Sequence, residues 1–167
     1  MKSLLVMRHA EAIKDARMSD HDRPLTKLGE QEARRLGRLF RGLGPTHAIS
    51  STALRATRTA EIALRTAHAT PVLERSGRLY DTDVSQHLSV IQSVEASVSQ
   101  LLIVGHNPTL EALVSTLARQ PTVLKTSALA ILAVPVDRWE DLHEQSACCL
   151  VGLFLPDMLR RHVDRER

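Results

Sequence analysis

The sequence has few of the residues that nucleic-acid-binding and disulfide-bonded domains depend on. One Trp, one Tyr and two Phe leave few rings to stack on bases, so we expect no nucleic-acid partner. The only cysteines, Cys148 and Cys149, are neighbours and rarely bridge in such an arrangement, which indicates a reducing compartment. No apolar run approaches the length of a membrane span, and the apolar start at residues 1–7 is too short for a signal peptide. These absences predict a cytoplasmic protein with no membrane partner.

Several catalytic motifs are also missing. The sequence contains no HExxH, no pair of CxxC motifs, no GxxxxGK[ST] and no GxSxG. We therefore expect no metal site, no cofactor, no P-loop and no serine nucleophile of that type. A net charge of +3, with arginines spread along the chain, suits a phosphorylated substrate as well as it suits nucleic acid.

The 167 residues, 43% apolar and 25% charged, have the composition of one globular domain. We expect residues 1–167 to form a single domain, with 155–167 as a C-terminal tail. Short apolar runs alternate with helical patterns, which predicts an α/β protein: a three-layer α/β/α domain with a mostly parallel sheet of about five to six strands. The expected strands are 4–7, 47–50, 71–74, 101–104, 128–134 and 148–155, and the expected helices follow Thr26, 50–52, Asp83 and Asn107.

Some details of these elements are predicted as well. The cluster Ser50–Thr52 is expected to cap the second helix, and Asn107 to cap the fourth with Pro108 as its first residue. The third helix is expected to run from Val84 to Ser97. Both cysteines are expected in the core of the last strand.

Basic side chains follow three of the predicted strands. Arg8 and His9 end the first strand, Arg55 lies in the first turn of the helix after the second, and His106 follows the strand 101–104. Ligands of open α/β sheets bind outside the carboxyl ends of the strands. Arginines supply forked donors for phosphate oxygens, and a histidine can act as a nucleophile. Each residue taken singly also has a structural explanation, such as pairing of Arg58 with Glu61 or a structural histidine at 106.

A basic rim is predicted around this site. The candidate substrate contacts are Lys14, Arg23, Arg58 and Asn107, and Arg17 and Arg78 would complete a basic ring at the mouth of the site. The alternative is that these charges form an ordinary solvated surface.

Three segments, taken together, resemble a known family. Residues 4–10 resemble the Arg-His-Gly signature of the histidine phosphatase superfamily, also called phosphoglycerate-mutase-like. Residues 51–60 and 105–108 resemble its second motif and its Gly-His motif. Residues 22–26 and 126–130 are similar to the SixA-like branch, the phosphohistidine phosphatases. The sequence departs from the family pattern with Ala10 in place of Gly, Thr52 in place of Pro and Ala12 in place of Ser.

The resemblance implies a phosphatase that works without a metal. It makes His9 the nucleophile that becomes phosphohistidine, with Arg8, Arg55 and His106 binding the phosphate oxygens. A backbone carbonyl in the loop 8–14 is expected to hold the other ring nitrogen of His9. Asp81 is the first candidate for a general acid, although the SixA-like branch often manages without one.

Three functions remain open at this point. The first is a phosphatase for protein phosphohistidine, for instance on a histidine-containing phosphotransfer domain. The second is a phosphatase for small phosphomonoesters, and the third is a non-catalytic module that binds phosphate or a phosphoprotein. Short connecting loops favour an open, shallow site and hence the protein substrate. The sequence indicates no particular oligomeric state.

Overall fold

In a computed structural model, which describes residues 1–156, the chain forms six strands and four α-helices. The elements in chain order are β1 (Lys2–Arg8), α1 (Lys27–Phe40), β2 (His47–Ser51), α2 (Leu54–Ala67), β3 (Val72–Ser76), α3 (Val84–Gln92), β4 (Gln100–Gly105), α4 (Thr109–Ala118), β5 (Leu129–Val134) and β6 (Cys149–Phe154). Within this part of the chain no helix is long and apolar enough to cross a membrane.

All six strands belong to one sheet in the order β3-β2-β4-β1-β5-β6. The pairs β2–β3, β2–β4 and β1–β4 are parallel, and the pairs β1–β5 and β5–β6 are antiparallel. The prediction of an α/β fold with a mostly parallel sheet of five to six strands is confirmed. The order also makes β1, β2 and β4 neighbours, so their carboxyl ends lie at one edge of the sheet.

The central strand β1 is buried on both faces because helices cover the sheet on both sides. Leu4 and Val6 belong to the core that includes apolar residues of α3 and α4, whereas Leu5 and Met7 belong to the core that includes residues of α1 and α2. All four side chains are at most 1% exposed. Burying four large apolar side chains contributes on the order of 6–12 kcal/mol, so this strand anchors the three layers.

Two glycines allow backbones to approach closely, one between α1 and α2 and the other at the start of α1. A Cβ on Gly37 of α1 would lie 2.3 Å from the carbonyl oxygen of Ala63 in α2. A Cβ on Gly29 would lie 2.0 Å from the carbonyl oxygen of Glu11. The second contact presses the start of α1 against the loop that follows β1, and this loop carries His9.

The third helix is shorter than predicted, since it ends at Gln92 instead of Ser97. The segment that follows is held by tertiary contacts instead. The Lys2 ammonium donates to the carbonyls of Ala96 and Val98, and the Trp139 indole also donates to Val98. The helical ladder itself stops earlier, where the amides of Ser93 and Val94 bond back only three residues, to Val90 and Ile91.

Two of the predicted helix caps are wrong. Thr26 and Asp83 do cap α1 and α3 by accepting from the amides of Gly29 and Gln86. The N-cap of α2, however, is Ala53 without a side-chain bond, because Ser51 belongs to β2 and faces the site.

The cap of α4 is Pro108, and Asn107 instead donates its side-chain amide to the carbonyl of Leu124 at 2.8 Å. For Ser51 and for Asn107 alike, a contact across the sheet edge has taken the place of the expected helix cap.

The prediction that both cysteines are buried holds for only one of them. Cys148 is buried and its backbone amide donates to Leu117, whereas Cys149 begins the edge strand β6 and is exposed. Residues 157–167 of the predicted tail lie outside the described residues.

Candidate active site

The structure brings Arg8, His9, Arg55 and His106 together at the edge where β1, β2 and β4 end. Pairing of Arg8 with Gly105 places His9 and His106 side by side, with ring centroids 5.0 Å apart. The Nε atom of Arg55 lies 3.3 Å from Nε2 of His9. The basic residues that follow three strands in the sequence predicted this convergence.

These residues line a cleft of about 730 Å³. Of the predicted site residues, those in its walls are Arg8, His9, Lys14, Arg23, Arg55, Asp81, His106 and Asn107. Residues that the sequence analysis did not propose for the site also line it: Asp20, Glu32, His87 and Thr109. The loop after β1 supplies several of these wall residues.

His9 is held in one tautomer by its own loop. Its Nδ1 lies 2.8 Å from the carbonyl oxygen of Ala10, and since a carbonyl only accepts, Nδ1 carries the hydrogen. Nε2 therefore carries a lone pair, which accepts a hydrogen bond from Nε of Arg55. Burial, together with the charges of Arg55 and Arg8, outweighs the hydrogen bond to Ala10 and lowers the pKa of His9 to about 4. The ring is neutral at pH 7, as a nucleophile requires.

His106 is neutral for the same reason. Burial first, and then the neighbouring His9 and Arg55, lower its pKa to about 3. Its Nε2 lies 2.8 Å from the hydroxyl of Ser51. When that hydroxyl donates to Nε2, the ring hydrogen lies on Nδ1 and is available to a ligand.

Four buried side-chain atoms among the described residues have no hydrogen-bond partner, and all four belong to residues that line the cleft. They are Arg8 Nε, His87 Nε2, His106 Nδ1 and Asn107 Oδ1. An unpaired buried polar atom costs about 1–3 kcal/mol, so such atoms are rare in folded proteins. Their concentration here marks a place where a polar ligand binds.

Arg8 is positioned from the opposite side of the edge. Its NH1 donates to the carbonyl of Leu124 at 2.9 Å, and burial lowers the pKa of its guanidinium although Glu111 opposes that shift. Glu111 in turn accepts from the amide of Leu124 at 2.8 Å. This anchoring leaves the Nε edge of Arg8 for an anion.

Asp20 is the main site residue that the sequence did not reveal. Its carboxylate accepts from Arg55 at 2.8 Å and from the Tyr80 hydroxyl at 3.0 Å, and it also pairs with Arg23 at 2.6 Å. Partial desolvation would raise the pKa of Asp20, but these three donors prevail and lower it to about 2. Asp20 therefore stays ionised and orients Arg55 so that its Nε faces His9. One aspartate in a polar loop carries no periodic signal that could have singled it out.

Two buried residues brace the nucleophile loop. Glu32, 7% exposed, accepts from the amide of Glu11 at 3.2 Å and from the hydroxyl of Ser127 at 2.6 Å. The hydroxyl of Thr59 accepts from the amide of Ala10 at 3.0 Å. Both contacts hold the backbone just after His9, and so fix the Ala10 carbonyl that accepts from the His9 ring.

The predicted basic ring is mostly absent. Arg58 does not line the cleft and pairs with Glu61 at 2.6 Å, which was the structural alternative for it. Arg17 pairs with its neighbour Asp15 at 2.8 Å, outside the cleft.

Arg78 also lies outside the cleft, where it donates to Gln86 and Ser89. Of the basic rim residues, Lys14 and Arg23 are the ones that reach the cleft.

Asp81 lies in the cleft wall next to Tyr80, at a left-handed backbone position with φ of 51°. It is exposed, and Asp83, not Asp81, caps the following helix. This placement leaves the Asp81 carboxyl near the mouth of the cleft.

Fold and site together define a class: an α/β protein whose sheet edge presents two neutral histidines and two arginines to an oxyanion. Comparison with known proteins gives the family. Residues 4–86 match the histidine phosphatase superfamily, branch 1. The chain belongs to this superfamily and is a SixA-like member of it, which confirms the resemblance found in the sequence.

The relatives extend over nearly the whole chain. The uncharacterized protein Rv1276c of Mycobacterium tuberculosis is 33% identical over 163 residues, which cover 90% of this chain and 99% of that protein. The protein histidine phosphatase SixA complexed with tungstate superposes with a TM-score of 0.80 at 26% identity, covering 94% of this chain and 99% of that one. A structure from Nakamurella multipartitia, described as a candidate phosphohistidine phosphatase SixA, gives a TM-score of 0.79 at 29% identity, covering 93% and 96%. Membership of the superfamily implies a phosphatase, that is, a hydrolase.

Proposed function

We propose that this chain hydrolyses protein phosphohistidine through a covalent phosphohistidine intermediate on His9, without a metal ion. One observation carries the proposal. The lone pair of His9 Nε2 accepts a 3.3 Å hydrogen bond from Nε of Arg55, in a cleft where Arg8 Nε and His106 Nδ1 have no partner. A tetrahedral oxyanion would satisfy these donors at once.

In the first step Nε2 of His9 attacks phosphorus in line, and the bond from phosphorus to the leaving group breaks. Arg8, Arg55 and His106 donate to the non-bridging oxygens and stabilise the charge that is spread over them in the transition state. Because these donors are already fixed by Leu124, Asp20 and backbone geometry, little reorganisation is needed when the phosphoryl group arrives.

In the second step water attacks the phosphorus atom of phosphorylated His9. The bond between phosphorus and Nε2 breaks, its electron pair returns to the ring, and orthophosphate leaves. The hydrogen bond from His9 Nδ1 to Ala10 keeps the ring in the same tautomer throughout both steps.

The leaving group decides how much acid help the first step needs. Imidazole from phosphohistidine leaves more easily than an alkoxide, so a weak or absent general acid suits that substrate. Asp81, exposed at the mouth of the cleft, remains our candidate donor for phosphate esters.

Metal independence rests on the charge of the site. Arg8 and Arg55 supply two positive charges at the position where a metal ion would otherwise neutralise phosphate. Within residues 1–156 no group of three or more His, Cys, Asp or Glu is arranged to hold a metal ion. We expect EDTA to leave turnover unchanged, and activity restored only by a divalent ion would contradict this proposal.

The choice of a protein substrate rests on similarity to SixA, since cleft size does not decide it. A volume of about 730 Å³ falls within the range of small-molecule sites. We propose that a phosphorylated histidine on an acidic helical domain, such as a histidine-containing phosphotransfer domain, enters the cleft beside Lys14 and Arg23. We place this activity in the cytoplasm, with neither nucleic acid nor membrane as a partner.

Side-by-side turnover tests the proposal. The purified protein is assayed on a phosphorylated histidine-containing transfer domain, a phosphohistidine peptide and p-nitrophenyl phosphate, and labelled phosphate is trapped on the enzyme by quenching. We expect the highest kcat/KM on the transfer domain, falling with salt, and an acid-labile, alkali-stable label that His9→Ala abolishes. His68→Ala, which alters an exposed histidine remote from the cleft, is the matched control.

The alternatives give different results in the same assay. Equal or better kcat/KM on small phosphomonoesters, without salt dependence, would favour the metabolite phosphatase. Binding of phosphate without turnover of any substrate would favour the non-catalytic module. Equal labelling of His9→Ala would contradict the assignment of the nucleophile.

A further inference from the structure

His87 lies in the cleft wall but has no part in the mechanism described so far. It belongs to α3, is 1% exposed, and its Nδ1 lies 3.0 Å from the carbonyl oxygen of Asp83, one turn back in the chain. A carbonyl oxygen only accepts, so Nδ1 carries the ring hydrogen and donates it. Nε2 of His87 is therefore a bare acceptor.

This acceptor is buried and has no hydrogen-bond partner. It differs in kind from the unpartnered atoms of Arg8 and His106, which are donors and suit an anion. A phosphate dianion has no hydrogen to offer, so it cannot satisfy Nε2 of His87. A group with an O–H or N–H bond can, and water brings such a bond into the cleft when the phosphoenzyme is hydrolysed.

The surroundings place His87 beside the phosphate donors. It is close enough to His106 that a positive charge on His87 would lower the pKa of His106. The Tyr80 ring, 5.5 Å from that of His106, lies in the same wall. Thr109 of α4 donates to the carbonyl of Thr82 at 2.6 Å and so ties the start of α3 to the helix that follows His106. The wall that carries His87 is thus held against the reacting centre.

We propose that His87 is a catalytic residue of the second step, whose Nε2 binds the attacking water and takes its proton. The water oxygen forms a bond to phosphorus, the bond from phosphorus to His9 Nε2 breaks, and the electron pair stays on His9. The proton moves from water to His87 Nε2 and then to solvent as orthophosphate leaves. This inference rests on the proposed phosphatase cycle.

Burial lowers the pKa of His87 below its ordinary value, against the opposing effect of its bond to Asp83. The ring is consequently neutral at pH 7 and can accept a proton. General-base assistance of this kind contributes about 10²–10⁴-fold to a rate.

The test separates the two chemical steps with p-nitrophenyl phosphate in a rapid-mixing experiment. We expect His87→Leu to lower kcat about 100-fold. Nitrophenol should still be released in a burst of one equivalent per enzyme, and phosphorylated His9 should accumulate, because the first step does not use His87. His87→Gln, which keeps an acceptor oxygen but is a poor base, should accumulate less phosphoenzyme than His87→Leu.

Leu88→Ala is the matched control, because Leu88 is a buried neighbour on the same helix that packs into the core. It should reduce thermal stability without trapping phosphoenzyme. Parallel loss of burst and turnover in both His87 variants, with no accumulation, would overturn the inference and leave His87 a structural residue, as would unchanged turnover. Failure of the proposed function is distinguishable, since the wild type itself would then show neither turnover nor label on His9.

Discussion

Each end of β1 carries a cation, buried at Lys2 and half-buried at Arg8, and the hydrogen bonds of the two cations differ. At the amino end, Lys2 is 7% exposed, and its ammonium donates to Ala96 and Val98 and lies 5.7 Å from the centre of the Trp139 ring. At the carboxyl end, Arg8 is anchored to Leu124 through one nitrogen while its Nε has no partner.

Both cations belong to one strand, and the unpaired Nε of Arg8 is itself a buried atom, so exposure to solvent does not explain its lack of a partner. It comes from whether the surrounding backbone completes the hydrogen bonds of the cation. The hydrogen bonds of Lys2 are completed within the fold, so Lys2 stabilises the folded protein. The Arg8 end keeps an unpaired donor to which a ligand can bind. This donor favours binding at a cost in stability.

Replacing the cation at the functional end should have the largest effect. We expect Arg8→Met to lower kcat/KM about 1,000-fold, because a donor to the transition-state oxygens is lost. The free energy of unfolding should change little, since the substitution also removes an unpaired buried donor. Steady-state kinetics and urea denaturation check both parts, and a stability loss as large as that of Lys2→Met would abolish the contrast between the two ends.

Acid should weaken the functional end through its histidines. The pKa of His9 is lowered to about 4 and that of His106 to about 3, so the unfolded chain, with values near 6.5, binds more protons below that pH. The free energy of unfolding therefore has its full value above pH 6.5 and decreases as pH falls towards 4 and then 3. By pH 5 the decrease is on the order of 2 kcal/mol for each histidine.

Urea midpoints at pH 7 and pH 5 measure this loss. The His9→Gln variant should show a smaller difference between the two pH values than the wild type. A difference that is unaffected by His9→Gln would mean that other groups govern the acid sensitivity.

Replacing the cation at the structural end should affect stability alone. Lys2→Met leaves the carbonyl of Ala96 without its donor, and hydrogen bonds from charged groups contribute about 1.5–3 kcal/mol each. We expect the free energy of unfolding to fall by about 2 kcal/mol while kcat/KM stays within about threefold of the wild type. A large loss of activity in the folded variant would show that the two ends are coupled along β1.

The smallest effect is expected at the mouth of the cleft. Asp81→Asn should lower turnover of aryl phosphates about tenfold and that of phosphohistidine much less, because only the poorer leaving group needs a proton. Parallel assays on the two substrates make the comparison. A uniform loss on both would assign Asp81 a structural role at its left-handed position instead.

Much of the site was predictable because it follows strand ends. Arg8, His9 and His106 come directly after apolar runs. Neighbouring parallel strands end at the same edge of a sheet, so these residues lie together regardless of the loop conformations. The three layers followed from the same alternation of strands and helices. The predicted backbone partner of His9 was also found, at Ala10.

The two errors at the helix caps share one cause, which is competition from partners distant in sequence. Ser51 is a good local cap, but it is bonded to His106, 55 residues away. Asn107 would cap α4, but its amide reaches Leu124. Arg58 was offered for the rim, and an acidic neighbour on its own helix pairs with it instead.

The amino-acid sequence by itself determined which residues could do the chemistry, because a nucleophile beside an arginine at the end of a buried strand is a local arrangement. Only the tertiary structure decided how those residues are tuned. Burial makes His9 and His106 neutral, Asp20 from a distant loop orients Arg55, and His87 of α3 lies in the cleft wall with an unpartnered ring nitrogen. The physical reason is that desolvation and hydrogen-bond completion depend on every atom around a group, and most of those atoms come from elsewhere in the chain.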